Sequence, residues 1–284
     1  MGPAVRPLLN VLFALVALAL FASGESPGVR VTYLANEGFL LDGGGKRVLI
    51  DALLDEGLEW YATVPDSVRP VLEAALPPFD RVDLLLITHD HADHFGPRAV
   101  LRYLLSSPST RCVGPPQAIE RIKELAGETP GIGARLYEVL PHRDGSKTMV
   151  QNGIRLRVLD LHHGRDNRQI QNLGYLFELG GVDILHVGDS MAGGGVYRGH
   201  GLHEESIEVA LLPLWYQSPK LYAEVVEGVL QPGSVISMHV AKPGAPAKYF
   251  GGYESPSAMR DGIEARFPAT QVAVRQGMSW FFTP

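Results

Sequence analysis

The chain has 284 residues, 45% of them hydrophobic, and a formal net charge of −6. That is enough apolar material for one large core, and with no long Pro/Ser linker, repeat or low-complexity tract one domain is preferred over two. The acidic balance and the lack of a basic run argue against a nucleic-acid surface, and a lone cysteine, Cys112, rules out a disulfide framework or a thiolate metal cluster.

The first 24 residues stand apart. Arg6 precedes an apolar run from Leu8 to Phe21, and Ala22-Ser23-Gly24 supplies small residues before Glu25, the layout of a secretory signal cleaved after Gly24. The run is shorter than the about 20 residues of a membrane span, which leaves an uncleaved anchor as the alternative. Residues 1–24 are therefore read as a signal peptide and 25–284 as a single domain that is secreted or periplasmic, with membrane contact only if the leader is retained.

Short β-type runs follow at Val29 to Tyr33, Gly38 to Leu41 and Arg47 to Asp51, the last two separated by Gly43-Gly44-Gly45, a hairpin signal. The apolar run Asp83 to Ile87 reads as a strand and Thr110 to Val113 as another, with core packing the role expected of Cys112. Pro97 to Ser106 and Pro116 to Ile122 have helical spacing with Pro at the first position. In the second half, Ile154 to Leu161, Leu173 to Leu179 and Val182 to Val187 read as strands, with Gly180-Gly181 turning between the last two. Strands are also expected at Glu208 to Leu212, Ser234 to Met238 and Gln271 to Arg275. Helices are expected at Pro219 to Leu230 and after the Ser255-Pro256 cap.

The densest chemistry lies directly after Asp83 to Ile87. Thr88-His89-Asp90-His91-Ala92-Asp93-His94 sets three imidazoles and two carboxylates within seven residues. Imidazoles and carboxylates crowded at a strand end need an electrostatic reason to stay together, and a cation supplies it. His89 and His91 suit one ion from an irregular loop, and Asp93 and His94 can face a second.

This segment resembles the first motif of the metallo-β-lactamase superfamily. Later segments extend the likeness: Asp160-Leu161-His162-His163-Gly164, Asn172-Leu173-Gly174-Tyr175, His186-Val187-Gly188-Asp189 and Ser237-Met238-His239. The resemblance covers most of the chain after residue 28 and implies an α+β fold, a four-layer αββα sandwich. It implies that His89, His91 and His163 hold one metal ion, that Asp93, His94 and His239 hold the other, and that Asp189 bridges them, with Asp93 and Asp189 at the reaction centre. Strand alternation places His162 and His163 on opposite faces, and the family's His-Gly step favours His163 over His162.

Nitrogen and oxygen ligands without thiolate suit zinc best, two ions per chain, with iron or manganese as alternatives. Such a pair implies a bridging hydroxide and hydrolysis of a lactone, ester or phosphodiester in a small-molecule substrate. The Asn172 to Tyr175 and Gly188-Asp189 segments are similar to the ascorbate-phosphate-lactonase-like and phospholipase-like branches. Antibiotic-type amide hydrolysis is the weaker reading, because true metallo-β-lactamases generally carry Cys or Ser where Asp189 stands; a noncatalytic metal-dependent binding or sensor protein is the other alternative. Asp90 is expected to orient a ligand histidine or to cap the loop, and His186 to be a core or ligand-orienting residue. His142, His200 and His203 are expected at the surface. Met191 to Gly199 lacks the lysine of a phosphate loop and is expected to be a mobile loop at most. Trp215-Tyr216, and Lys242 with Tyr249, are pocket candidates.

Overall fold

The computed structural model describes residues 27–164 and 169–284; the segment expected to be a signal peptide, 1–24, lies outside the described residues. In the first half the chain forms β1 (Val29–Ala35), β2 (Gly38–Gly43), β3 (Lys46–Ile50), α1 (Arg69–Glu73), β4 (Leu84–Leu86), α2 (Pro97–Ser106), β5 (Arg111–Gly114), α3 (Pro116–Ala126) and β6 (Leu136–Glu138). The second half forms β7 (Ser146–Gln151), β8 (Ile154–Asp160), β9 (Leu173–Leu179), β10 (Val182–His186), α4 (Gly194–Gly199) and β11 (Val209–Pro213). It continues through α5 (Pro219–Leu221), β12 (Ser234–Met238), α6 (Pro256–Arg266), β13 (Thr270–Val272) and β14 (Ser279–Phe282).

The strands make two seven-stranded sheets, ordered β14-β1-β2-β3-β4-β5-β6 and β13-β12-β11-β10-β9-β8-β7. Each repeats one plan. A three-stranded antiparallel meander, β1 to β3 or β8 to β10, is followed by three parallel strands, β4 to β6 or β11 to β13. Parallel strands need crossovers, and the crossovers place helices on the outer faces.

Alternation sorts the side chains into layers. Val29, Val31, Phe39, Leu41, Leu84 and Leu86 of one sheet meet Leu156, Val158, Tyr175, Ile184, Leu211 and Ile236 of the other in the central core. The opposite faces of the first sheet's strands, with Leu49, Leu85 and Cys112, bury Tyr103 and Leu104 of α2 and Ile119 and Ile122 of α3. On the second sheet Leu185, Ala210 and Leu212 pack against Tyr197 of α4 and Val225 and Val229. The result is the expected αββα sandwich, built from amphipathic elements that each need a partner on both sides.

Three local expectations change. Only Pro219–Leu221 is α-helical; Tyr222–Leu230 is wound as a π-helix. Its last bond, Gln231 N to Val226 O at 2.7 Å, spans five residues, and Gly228 admits the wider winding because a Cβ there would stand 2.9 Å from Ala223 O. The glycine-rich stretch after Asp189 is no open loop: Gly194–Gly199 is helical, and Gly194 N donates to Glu224 Oε1 at 2.9 Å. His200 is buried rather than at the surface, its Nε2 3.2 Å from Asp160 O, because α4 turns it inward. His142 and His203 are exposed as expected.

Candidate metal centre

The seven expected ligands come from loops just beyond the carboxyl ends of four strands, β4, β8, β10 and β12. The apolar run of β4 is paired on both sides and buried, so it delivers Thr88 and the histidine loop at a fixed point. A short tie closes that loop: His94 N and Phe95 N donate to His91 O at 3.0 and 2.8 Å, and Gly96 N donates to Leu53 O at 2.8 Å before α2 begins at Pro97.

The ligand atoms fall into the two expected groups. His89, His91, His163 and Asp189 offer atoms that all lie within 4.8 Å of one another, and so do Asp93, His94 and His239. The rings of His89, His91 and His163 form a triangle with centroid separations of 4.6 to 4.8 Å. Asp189 stands between the groups: Oδ2 is 3.2 Å from His163 Nε2, and Oδ1 is 3.3 Å from His94 Nε2 and 3.4 Å from His239 Nε2. His239 Nε2 is also 3.5 Å from Asp93 Oδ2. His163, not His162, joins the cluster; His162 turns away to Asp144, with Nε2 2.8 Å from its Oδ1.

Hydrogen bonds orient the rings. Asp51, immediately after β3, accepts from Thr88 N at 2.9 Å, from Thr88 Oγ1 at 2.5 Å and from His94 Nδ1 at 3.0 Å. With its own proton given to Asp51, Thr88 Oγ1 accepts from His89 Nδ1 at 3.0 Å. This network assigns the Nδ1–H tautomer to His89 and leaves its Nε2 lone pair turned into the cluster; the Nδ1 bond likewise leaves Nε2 of His94 turned inward. Asn36 donates through Nδ2 to Asp93 O at 3.2 Å and to Asp93 Oδ2 at 3.1 Å.

The donor set fits divalent cations. His89 Nε2 and His91 Nδ1 face each other at 3.1 Å, an arrangement of two lone pairs that a shared positive ion satisfies. Burial and the neighbouring imidazoles hold both rings below the ordinary histidine range, in the neutral form that ligates. Asp189 Oδ1 is buried without a hydrogen bond among the described residues. Burial alone would raise Asp189, but the His239 and His94 imidazoles hold it well below the usual carboxylate range. In return, and against burial, Asp189 and Asp93 lift His239 to about 10, and Asp189, Asp51 and Glu37 lift His94 well above its ordinary value. Carboxylates that keep imidazoles charged in this way also favour a metal ion in the same place.

The partners of the residues around the ligands become visible only in the fold. Asn172 is buried between two other chain segments: Oδ1 accepts from Asp189 N, and Nδ2 donates to Leu161 O and Val187 O, each at 3.1 Å. Gly188 has φ 55, and a Cβ there would fall 2.4 Å from Asn172 Oδ1, so the turn into Asp189 requires glycine. His186 stands outside the two ligand groups: Nδ1 accepts from Gly188 N and Nε2 meets Glu37 O, each at 3.1 Å. Asp90 orients no ligand, because it is drawn outward into an ion pair with Arg121; Asp51 does the orienting. The only sequence signal for Asp51 is a lone acid ending the apolar run of β3.

One side of the cluster is walled by rings. Tyr61 stands edge-on to His239 with centroids 4.3 Å apart, and Trp215 stands at 5.1 Å from the same imidazole. Burial, then the Asp93 and Asp189 carboxylates, push the Tyr61 phenol up to about 12. Trp215 Nε1 donates to Ser190 O at 2.8 Å, and Ala192 N and the hydroxyls of Tyr197 and Tyr216 gather on Ser190 Oγ. The residue after Asp189 is thereby held from two sides. Tyr216 is thus a buried support, and Trp215 and Tyr249 belong to the wall. Two clefts of about 330 and 350 Å³, one lined by Lys46, Asp83 and Asn152 and the other by His203, Glu208 and Gln231, contain none of these ligands.

The sequence profile described as a beta-lactamase superfamily domain matches residues 46–240. A UPF0173 metal-dependent hydrolase of Thermococcus kodakarensis is 28% identical over 218 residues, covering 74% of this chain and 84% of that protein. Its counterpart from Pyrococcus furiosus is 30% identical over 219 residues with the same coverage. Among solved structures, Igni18, a metallo hydrolase from Ignicoccus hospitalis, superposes with a TM-score of 0.59 at 18% identity over 90% of this chain and 99% of that one. The isothiocyanate hydrolase from Delia radicum gut bacteria superposes with a TM-score of 0.61 at 14% identity, over 90% and 100%.

Proposed function

We propose, because this chain belongs to the β-lactamase superfamily and is a metal-dependent hydrolase, that it holds two zinc ions and cleaves a lactone, ester or phosphodiester in a small molecule. The observation that carries this reading is Asp189, whose two oxygens face different histidine groups. A single mononuclear site would leave several of the seven ligands without a use, since tetrahedral zinc takes about four.

In this reading His89, His91 and His163 hold one ion, Asp93, His94 and His239 hold the other, and Asp189 bridges. The ions, when bound, supply a hydroxide nucleophile at neutral pH and polarise the attacked carbonyl or phosphoryl oxygen. The protein's own work is positional. Asp51 keeps the proton on His94 Nδ1 and, through Thr88 Oγ1, the proton on His89 Nδ1, so both rings stay aimed. Asn36 fixes the Asp93 carboxylate, and Asn172 fixes the backbone that carries Asp189. The ring wall shields the His239 side from water. Export through the 1–24 segment is part of the same proposal, with a mature amino terminus near Glu25 read by intact mass.

The test is elemental analysis of protein reconstituted with zinc, iron or manganese, coupled to turnover on a panel of lactones, esters and phosphodiesters. About two ions per chain with turnover is the expected result. Full activity at a saturating content of one ion overturns the dinuclear assignment; full metal content without turnover favours a binding or sensor protein.

A further inference from the structure

Four aromatic side chains beside the cluster have no part in holding the ions. Tyr103, Tyr175, Tyr197 and Tyr216 are fully buried, and each bonds its hydroxyl to a protein oxygen. Trp60, Tyr61, Trp215 and Tyr249 instead remain partly exposed, although they contact one another and the cluster. Tyr249 stands perpendicular to Tyr61 at 6.3 Å and tilted to Trp60 at 6.1 Å. The Tyr61 hydroxyl has no hydrogen-bond partner among the described residues.

Part of the wall is tied to the strand end that carries His239. Tyr61 makes an antiparallel bridge to Ala241, and Lys242 N donates to Trp60 O at 2.8 Å, so the segment carrying two of the rings is tied to the residues just past His239. Below it, Val240, Ala241, Phe250 and Met259 form a separate apolar cluster. Apolar rings held half in water beside a polar centre are the signature of a surface meant to be covered. A group attached to the reacting bond and lying next to His239 would cover it.

We infer that Trp60, Tyr61, Trp215 and Tyr249 form a substrate subsite for a flat apolar group, so that the substrate is an ester or lactone with an aromatic or similarly planar acyl portion. The inference rests on the hydrolase reading of the adjoining centre. Rings pack offset or edge-on against a planar group, and the free Tyr61 hydroxyl offers it one donor. The rings add nothing for a phosphodiester, whose charge they do not meet.

The subsite is testable without turnover. Trp60 and Trp215 are two of three tryptophans in the chain, and the third, Trp280, packs at the inter-sheet core. Tryptophan fluorescence of the zinc-loaded protein therefore reports binding of phenylacetate and of acetate, as product mimics. Phenylacetate is expected to bind about tenfold more tightly than acetate. Trp60→Leu and Tyr249→Leu should each reduce that preference to about threefold, with metal content unchanged, whereas Tyr61→Phe, which keeps its ring, should retain it. Equal binding of the two carboxylates by the unmodified protein, or a preference that survives both leucine variants, overturns the subsite. Absence of turnover on every ester and lactone with the preference intact removes the hydrolysis proposal alone, and turnover without the preference removes the subsite alone.

Discussion

Asn172→Ala removes one buried amide and, with it, three hydrogen bonds that join the ends of β8 and β10. Asp189 N loses its acceptor, and Leu161 O and Val187 O lose a donor each. A net contribution of about 1 kcal/mol per buried bond gives a destabilisation of about 3 kcal/mol. For a chain of this size that lowers Tm by about 6 to 12 °C. The same bonds set His163, two residues past Leu161, against Asp189, so zinc affinity should fall by about 10- to 100-fold, the usual cost of losing a residue that orients ligands. Calorimetry of the chelated protein reads the first effect without the metal, and competition with a chromophoric chelator reads the second. A Tm within about 2 °C of the unmodified protein, together with zinc affinity within about twofold, refutes the reasoning that the amide supports the bridge. A large Tm loss with unchanged zinc affinity refutes only the link to the metal.

His163→Ala should lose about one ion per chain and most turnover, whereas His162→Ala should keep both ions, since His162 faces Asp144; elemental analysis of the two variants decides it, and the reverse pattern would move the third ligand to His162. The chelated protein should lose stability as pH rises. His239 has its folded-state pKa raised from 6.5 to about 10 by Asp189 and Asp93, so its contribution is complete below about 6.5 and is lost as pH climbs through about 10. His94, also raised, has the same sign. Zinc binding requires neutral imidazole and strengthens over that range. Thermal melts from pH 6.5 to 10 with and without zinc test both signs, and a chelated protein that gains stability with pH contradicts the charged state assigned to His239.

Most of this molecule is written locally. The His89 to His94 loop was legible because five metal-capable side chains follow an apolar strand, and the central strands because alternation or a continuous apolar run marks a sheet buried on one or both faces. His163, Asp189 and His239 came from the resemblance, and the tertiary structure brings all three to the loop. What was not legible shares one cause: its meaning depends on partners far along the chain. The strand β7, Ser146–Gln151, is polar and mostly exposed at a sheet edge, and β14 pairs with β1 some 250 residues away. Asp51 is one acid ending one strand until Thr88 and His94 arrive beside it, and Asn172 is a loop amide until the ends of β8 and β10 close around it. The wall is the extreme case. Trp60 and Tyr61 lie in a stretch without periodicity and acquire a role only when the chain returns 180 residues later to bridge Tyr61 to Ala241. Local pattern determines which residues can bind an ion and which strands can form; the long-range pairing of those strands decides which side chains hold the ligands in place and what surface meets the substrate.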